Sequence, residues 1–230
     1  MAKKKVTRKD LLNKPDEFIT YSQRLLNWAG DHRKTLSIGG AAVILLLVAV
    51  AAHSYFAEKA EKRAATLLNA TLISYRSELE ASGPEKAYEK TAQDFESLID
   101  RYGSNDAGKQ AKVFFGDICY AGKAYDRAAQ FYRSALNDYA HEPFMHDLIT
   151  VALGHALSEA GKYAEALQSF EKVASVSGEQ ALKAEALFNV AELDAREGQK
   201  EKSTEAFNRL AAEYPDTLFG ALALERSTVK

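Results

Sequence analysis

Leu36 to Ala52, LSIGGAAVILLLVAVAA, is a run of 17 uncharged and mostly apolar residues, and His53, Ser54, Tyr55 and Phe56 extend the uncharged stretch to 21. No polar face interrupts it, so the pattern predicts a helix that is apolar on every side rather than an amphipathic one. Such a stretch of helix rises about 31 Å, the thickness of a bilayer core. Upstream, Asn13-Lys14-Pro15-Asp16-Glu17 reads as a helix start, with proline and acids in the first turn. Phe18, Ser22, Leu25 and Ala29, with Ile19 and Leu26, then share one helical stripe that Gly30 is expected to end. Downstream, a first helix is expected over about residues 57–82. Gly83-Pro84-Glu85, Ser104-Asn105-Asp106 and Glu142-Pro143 mark further helix starts, and Ser177-Gly178-Glu179-Gln180 has capping-box spacing. Pro215-Asp216-Thr217 opens a last helix, expected from Leu218 to Arg226.

The helical segments repeat. A small residue following a large apolar one recurs at Gly116, Gly154 and Ala191, and an aromatic recurs at Tyr132, Phe170 and Phe207; both sets are spaced 38 and then 37 residues. Turn glycines stand at Gly122, Gly161 and Gly198, and second helices are expected to begin near Tyr125, Tyr163 and Lys200. Counting back 37 from Tyr132 reaches Phe95, in the second helix of a further unit. Each unit reads as a helical hairpin in which the small residue lets two helices approach and the aromatic fills the gap between hairpins. One hairpin cannot bury its own faces, so the units must stack, and a final helix must cover the last of them.

Leu153, Gly154, Gly161, Tyr163, Ala166 and Phe170 match, in register, the pattern of the tetratricopeptide repeat, and the chain resembles that family well over 108–215 and in part from 75. Gly122 comes one place early, Ser203 replaces the usual alanine, and Lys112, Thr150 and Leu187 fill the family's tryptophan position. The resemblance implies an all-α fold of stacked helical hairpins, an α-solenoid, following a single N-terminal transmembrane helix. It also implies that the first helix of each hairpin lines a concave face. Carried over by register, the peptide groove takes Gln110, Val113, Phe114, Asp117 and Tyr120 from one unit. The next gives Val151, His155, Ser158 and Glu159, and the last gives Glu185, Phe188, Asn189, Glu192 and Arg196. Family members that grip a terminal carboxylate use a Lys/Arg/Asn clamp on this face, and here only Asn189 and Arg196 resemble one. The groove is therefore expected to take apolar or basic segments, through Phe114, Tyr120 and Phe188 with an acidic surround; the competing reading is an ordinary solvated face.

Charge then orients the apolar run. Residues 1–34 hold nine Lys/Arg against four acids, net +5, while the whole chain is −2, which leaves −7 for residues 35–230. Short basic flanks stay in the cytoplasm, so the tail is expected there and the acidic domain on the far side, which in a bacterium is the periplasm. Trp28, just ahead of Arg33 and Lys34, suits an interfacial helix; a partly ordered tail is the plainer reading. A cleavable signal sequence competes with the anchor, since Ala49-Val50-Ala51 fits a cleavage pattern, but the 34 residues before the run are long for one. A buried core helix is the third reading. The expected division is a basic tail 1–34, an anchor 35–56, a repeat array 57–215 and a capping helix with its tail 216–230.

Chemistry is sparse. The lone Cys119 excludes an intramolecular disulfide and reads as a core residue between Ile118 and Tyr120. No HExxH, cysteine pair or phosphate-binding glycine loop is present; His141 and His146 are five apart across a helix start, which is not a one-face spacing for a metal. Acid pairs such as Glu78/Glu80 and Glu85/Glu89 sit among Lys and Arg, as solvated helix faces do. No catalysis, cofactor or metal is expected, nor a small-molecule substrate, and the acidic domain disfavours nucleic acid. The expected partners are other proteins through the groove and the membrane through residues 36–56. The layout of basic tail, single anchor and exported repeat array resembles the ancillary subunit family of the SecYEG translocon. That resemblance implies a periplasmic scaffold linking the bacterial inner-membrane translocon to chaperones. The alternative is a structural adaptor in envelope assembly, in outer-membrane protein, pilus or cell-wall machinery.

Overall fold

The computed structural model describes residues 17–228, with side chains described for 21–226. The helix-start residues Asn13 to Asp16, the rest of the tail before Glu17 and the side chains of Phe18 and Ile19 lie outside them. Every regular element among the described residues is an α-helix: α1 (Glu17–Asp31), α2 (Arg33–Ser82), α3 (Pro84–Tyr102), α4 (Asp106–Ala121), α5 (Tyr125–Asp138), α6 (Pro143–Glu159), α7 (Tyr163–Val176), α8 (Gln180–Arg196), α9 (Lys200–Glu213) and α10 (Leu218–Thr228). The all-α class and the hairpin starts at Tyr125, Tyr163 and Lys200 are as the repeat spacing required. The chain divides into two compact units, one ending at Glu58 and one beginning at Lys59.

In the first unit, Gly30 does not end the tail helix, because a glycine weakens a helix without stopping it when the backbone bonds can continue. α1 runs on to Asp31, and the carbonyls of Trp28 and His32 accept from the N–H groups of His32 (3.0 Å) and Leu36 (2.9 Å). Trp28 stacks on the His32 ring at 4.9 Å and stays half exposed. The apolar run lies wholly within α2, and no part of its most apolar stretch is buried. It is the one helix among the described residues that is long and apolar enough to cross a membrane.

The second unit is a stack of hairpins. α4 with α5, α6 with α7 and α8 with α9 form antiparallel pairs; each pair packs on the next, and α10 packs on α9 and α8. α4, α6 and α8, the first helices, also touch in succession, which puts them side by side on one face. The three hairpin turns share one hydrogen-bond pattern. Ala124, Lys162 and Gln199 each donate an N–H to the carbonyl five residues back, at Cys119, Leu157 and Asp194, all at 2.8 Å, the signature of a Schellman close. Its left-handed position is Gly161 (φ 77°) and Gly198 (φ 80°) in two turns, but Lys123 (φ 59°) in the first. The early Gly122 is thereby explained: the turn keeps its register, and a lysine takes the glycine's place.

Burial follows the repeat. Phe95, Phe115 and Phe170 are fully enclosed, with Phe95 stacked on Phe115 at 5.2 Å. A Cβ on Gly154 would lie 2.7 Å from the Phe170 ring, and one on Gly116 would lie 2.6 Å from Tyr132. The repeat aromatic thus sits on the small residue of its own hairpin, not chiefly between hairpins as its spacing suggested. Helix packing drives it there: at Gly116 and Gly154 the ring fills the space that a Cβ would take. At the family's tryptophan position, Lys112 pairs with Asp138 across the hairpin at 2.6 Å, Thr150 is buried and donates to the His146 carbonyl at 2.7 Å, and Leu187 is buried. Cys119 is buried, and burial pushes its thiol up to about 12, as a core residue requires.

Two helix caps differ from the local signals. Asn105 makes no side-chain cap; instead the Glu61 carboxylate on α2 accepts from the N–H groups of Asp106 and Ala107, both at 2.9 Å. A charged acceptor at a helix N-terminus out-competes a neutral amide through the dipole and the stronger bond. Ser177 accepts from the Glu179 N–H at 3.1 Å, a local turn that closes α7 rather than a capping box opening α8.

Candidate functional site

The face built by α4, α6 and α8 carries most of the groove residues read from the sequence. At the C-terminal ends of α6 and α8, Ser158, Asn189, Glu192 and Arg196 line a recess of about 410 Å³ with Leu193 and Ala195. Arg196 is held over the Tyr163 ring at 4.5 Å, a cation–π contact that fixes the guanidinium at the rim. Asn189 donates to the Glu185 carbonyl at 2.8 Å, so one amide hydrogen is spent on its own helix. His155 Nε2 lies 3.1 Å from Glu185 Oε1, joining α6 to α8, with the imidazole edge-on to Phe170 at 5.1 Å.

α4 contributes differently. Tyr120 is half-buried, edge-on to Tyr125 at 5.4 Å; burial raises its phenol pKa, and the Glu159 carboxylate raises it further, which places those two groups near one another. Asp117 accepts from the Tyr132 hydroxyl at 2.6 Å. Burial pushes its carboxyl above the ordinary range and outweighs that hydrogen bond, while Asp117 in turn raises Tyr75 on α2 after burial does. Gln110 and Phe114 are exposed and Val113 is half-buried against the core. The structure does not bring these three to the recess at α8. Val151 is buried at 4 % exposure and belongs to the core instead of the lining, because it falls on the α6 side that meets its neighbours.

α10 changes the last unit. Phe188 meets Phe207 at 5.6 Å and Phe219 of α10 at 5.4 Å, and Glu192 meets Arg226 of α10 at 3.4 Å. The terminal helix therefore shares the inner residues of α8. Sequence reasoning missed Tyr163, Phe219 and Arg226 as contributors to this face. A signal for α10 was present: Tyr214-Pro215-Asp216-Thr217-Leu218-Phe219-Gly220 echoes Tyr102-Gly103-Ser104-Asn105-Asp106-Ala107-Gly108. In both, a Cβ on the final glycine would collide with the tyrosine carbonyl, at 1.9 and 1.8 Å. α10 thus enters the stack as α4 does, as the first helix of a unit.

His141 is exposed, and His146 lies 3.7 Å from Asp147. Among the described residues no group of three metal-ligating side chains converges.

Comparison with known proteins agrees with this geometry. The family model of the tetratricopeptide repeat-like domain matches residues 27–177, more than half of the chain, and that of the tetratricopeptide repeat matches residues 185–217. No curated protein matches the chain significantly. The repeat is generally a protein-interaction fold, and the matched residues reach from before the apolar run to the close of α9. With its shared turn geometry, its glycine-aromatic hairpins and its contiguous inner helices, the chain belongs to the tetratricopeptide repeat-like domain family.

Proposed function

We propose that the chain is a membrane-tethered adaptor that holds partner proteins on the inner face of its repeat domain. Residues 1–34 form the cytoplasmic tail, 35–56 cross the bacterial inner membrane once, 57–215 form the array in the periplasm and 216–230 close it. The observation that carries this reading is the succession of α4, α6 and α8, which gathers Ser158, Asn189, Glu192 and Arg196 round one recess, with Tyr120 and Glu159 on the same face. The exposed apolar run, the tail charge of +5 and a family match that includes the run support the tether.

The groove favours basic or apolar segments. Glu159, Glu185 and Glu192 stand there against Arg196 and the Arg226 of α10, which is already paired with Glu192, so Arg196 with a half-committed Asn189 is too little to neutralise a terminal carboxylate. Phe188 is shared with α10, so apolar contact from a partner falls chiefly to Phe114 and Tyr120. The layout supports a place beside the Sec translocon and periplasmic chaperones. Co-purification of the full chain in mild detergent tests it. Translocon subunits recovered with the wild type are the expected result; recovery of outer-membrane, pilus or cell-wall machinery instead assigns the envelope-assembly role. Protease added to spheroplasts is expected to remove the repeat domain and spare the tail, and a protected domain overturns the orientation.

A further inference from the structure

The seam between the last two hairpins lacks what fills the two seams before it. Across each earlier seam an ion pair set by register ties adjacent second helices. Arg127 of α5 pairs with Glu96 of α3, and Glu165 of α7 pairs with Arg133 of α5 at 2.5 Å. The later partner stands five residues before its repeat aromatic, Tyr132 or Phe170, and the earlier partner one residue after its own, Phe95 or Tyr132. The same rule names Lys202, five before Phe207, and Glu171, one after Phe170. Their charges are complementary, yet among the described residues no ion pair joins α7 to α9, and neither Glu171 nor Lys202 has an ion-pair partner; Arg209 is spent within α9 on Glu213. Apolar filling fails at the same place. Four residues after the aromatic, α3 carries Ile99 and α5 carries Leu136, both packed against the core, whereas α7 carries only Ala174.

What is left between α7 and α9 is a recess of about 680 Å³, with Ala174, Leu187, Val190 and Ala206 in its apolar lining and Glu171 and Lys202 beside them. Sites that enclose a ligand have volumes of about 300–1,000 Å³. Lys183 of α8 and Glu205 of α9 also line the recess, and neither is in an ion pair. Charges of both signs around an apolar floor fit neither a simple anion nor a hydrocarbon. They fit a polypeptide that brings an aliphatic side chain flanked by a base and an acid. We propose that this seam is a second docking site, where a segment of a partner protein supplies in trans what the chain supplies for itself in the other seams. An aliphatic side chain of the partner covers Ala174, a cation of the partner meets Glu171 and a carboxylate meets Lys202. The site shares no residue with the recess at Arg196 and depends neither on the groove of the first helices nor on the membrane span.

The probe is a library of short random peptides displayed on phage and selected on the full chain in neutral detergent micelles. Recovered peptides are synthesised with a fluorophore and titrated by anisotropy. They are expected to carry an aliphatic residue with a base and an acid close to it. Lys202→Glu and Glu171→Lys are each expected to weaken them about tenfold, since an attraction becomes a repulsion. Ala174→Leu is expected to abolish binding with no loss in melting temperature, because the chain then fills its own seam as Leu136 does. Glu171 and Lys202 are exposed, so the two charge variants test the site without touching the core. No recovered peptide of that composition, binding unaltered in both charge variants, or binding unaltered in a folded Ala174→Leu overturns the proposal. Peptides weakened by Arg196→Ala and not by Lys202→Glu lie in the groove of the first helices, which supports that reading and overturns this one. Self-association of the full chain, read by sedimentation and lost in Lys202→Glu, puts a second copy in the seam and overturns it as well.

Discussion

In the first half of α2, Leu45, Leu46 and Leu47 are 70, 65 and 61 % exposed; in the second, Ala64, Leu68 and Thr71 are buried against the repeat core. Both halves are helical, and both carry apolar residues. The second half spaces its buried positions four and then three apart, sets Thr66, Asn69 and Ser74 among them, and carries Lys, Arg and Glu on either side of residues 64–75. A stripe of that kind is completed by a neighbouring helix, here α3 and the Glu61-capped start of α4. The first half has no polar remainder, so no single protein neighbour completes it. Fully burying one leucine is worth about 1.5–3 kcal/mol, and a sheath of such residues left in water is the imbalance that the proposed bilayer removes. The lesson is that the polar positions, more than the apolar ones, tell which solvent a helix is built for.

The repeat array gives the largest effect by which to sharpen that contrast. Phe170 is fully buried and rests on Gly154. Phe170→Ala is expected to cost about 3–5 kcal/mol by leaving a cavity. Gly154→Leu is expected to cost about 1–3 kcal/mol or more, because the ring has nowhere to retreat. Urea melts of the full chain in detergent, followed by circular dichroism, measure both. Two neutral variants would mean that the glycine-aromatic contact is not what holds the hairpin.

A matched pair within α2 tests the contrast itself. Leu68→Ala removes a core side chain 5 % exposed and is expected to cost about 2 kcal/mol, the low end for a leucine truncation, since the first hairpin is flanked on one side only. Leu46→Ala, in the exposed run, is expected to leave the same melt within about 0.5 kcal/mol. Equal costs at the two positions would erase the distinction between stripe and sheath.

Much of the array was legible because its signals are local and repeat. The starts at Tyr125, Tyr163 and Lys200, proline at the heads of α3 and α6, and the seating of Gly154 on one hairpin all follow from spacing and turn chemistry. What escaped reading depends on residues far apart in the chain. Glu61 caps α4 from 45 residues away, and only the stacking of α2 on α4 puts it there. Phe188 and Glu192 occupy groove positions by register, yet α10 supplies Phe219 and Arg226 to them, because a terminal helix enters the stack as another first helix. Arg196 read as half a clamp; its position over Tyr163 is a tertiary fact that no spacing contains. Register thus assigns residues to a helix face, while the partners of their side chains depend on the stacking.

The smallest effect lies in the turns, where the repeat half of the molecule departs from its own rule. Gly161 and Lys123 occupy the same left-handed position of two Schellman turns with matching hydrogen bonds, at φ 77° and 59°. A Cβ on Gly161 meets nothing within 4 Å, so Gly161→Ala isolates backbone strain, expected at about 1 kcal/mol. Lys123 already bears that strain. Its ammonium pairs with Glu85 at 2.6 Å, and that bond lowers the Glu85 carboxyl pKa, but both groups are open to water. A pair so exposed returns little, so the backbone strain outweighs it. Lys123→Gly is therefore expected to raise the melting temperature while Gly161→Ala lowers it. The carboxyl shift gives the pH direction: a depressed folded-state value contributes above the unfolded pKa and is lost as pH falls through the folded one. The advantage of Lys123→Gly over the wild type is accordingly expected to widen in acid, where the wild type loses its ion pair. A variant no more stable than the wild type at either pH would show that the lysine is held without strain and that the turn tolerates a side chain at this register.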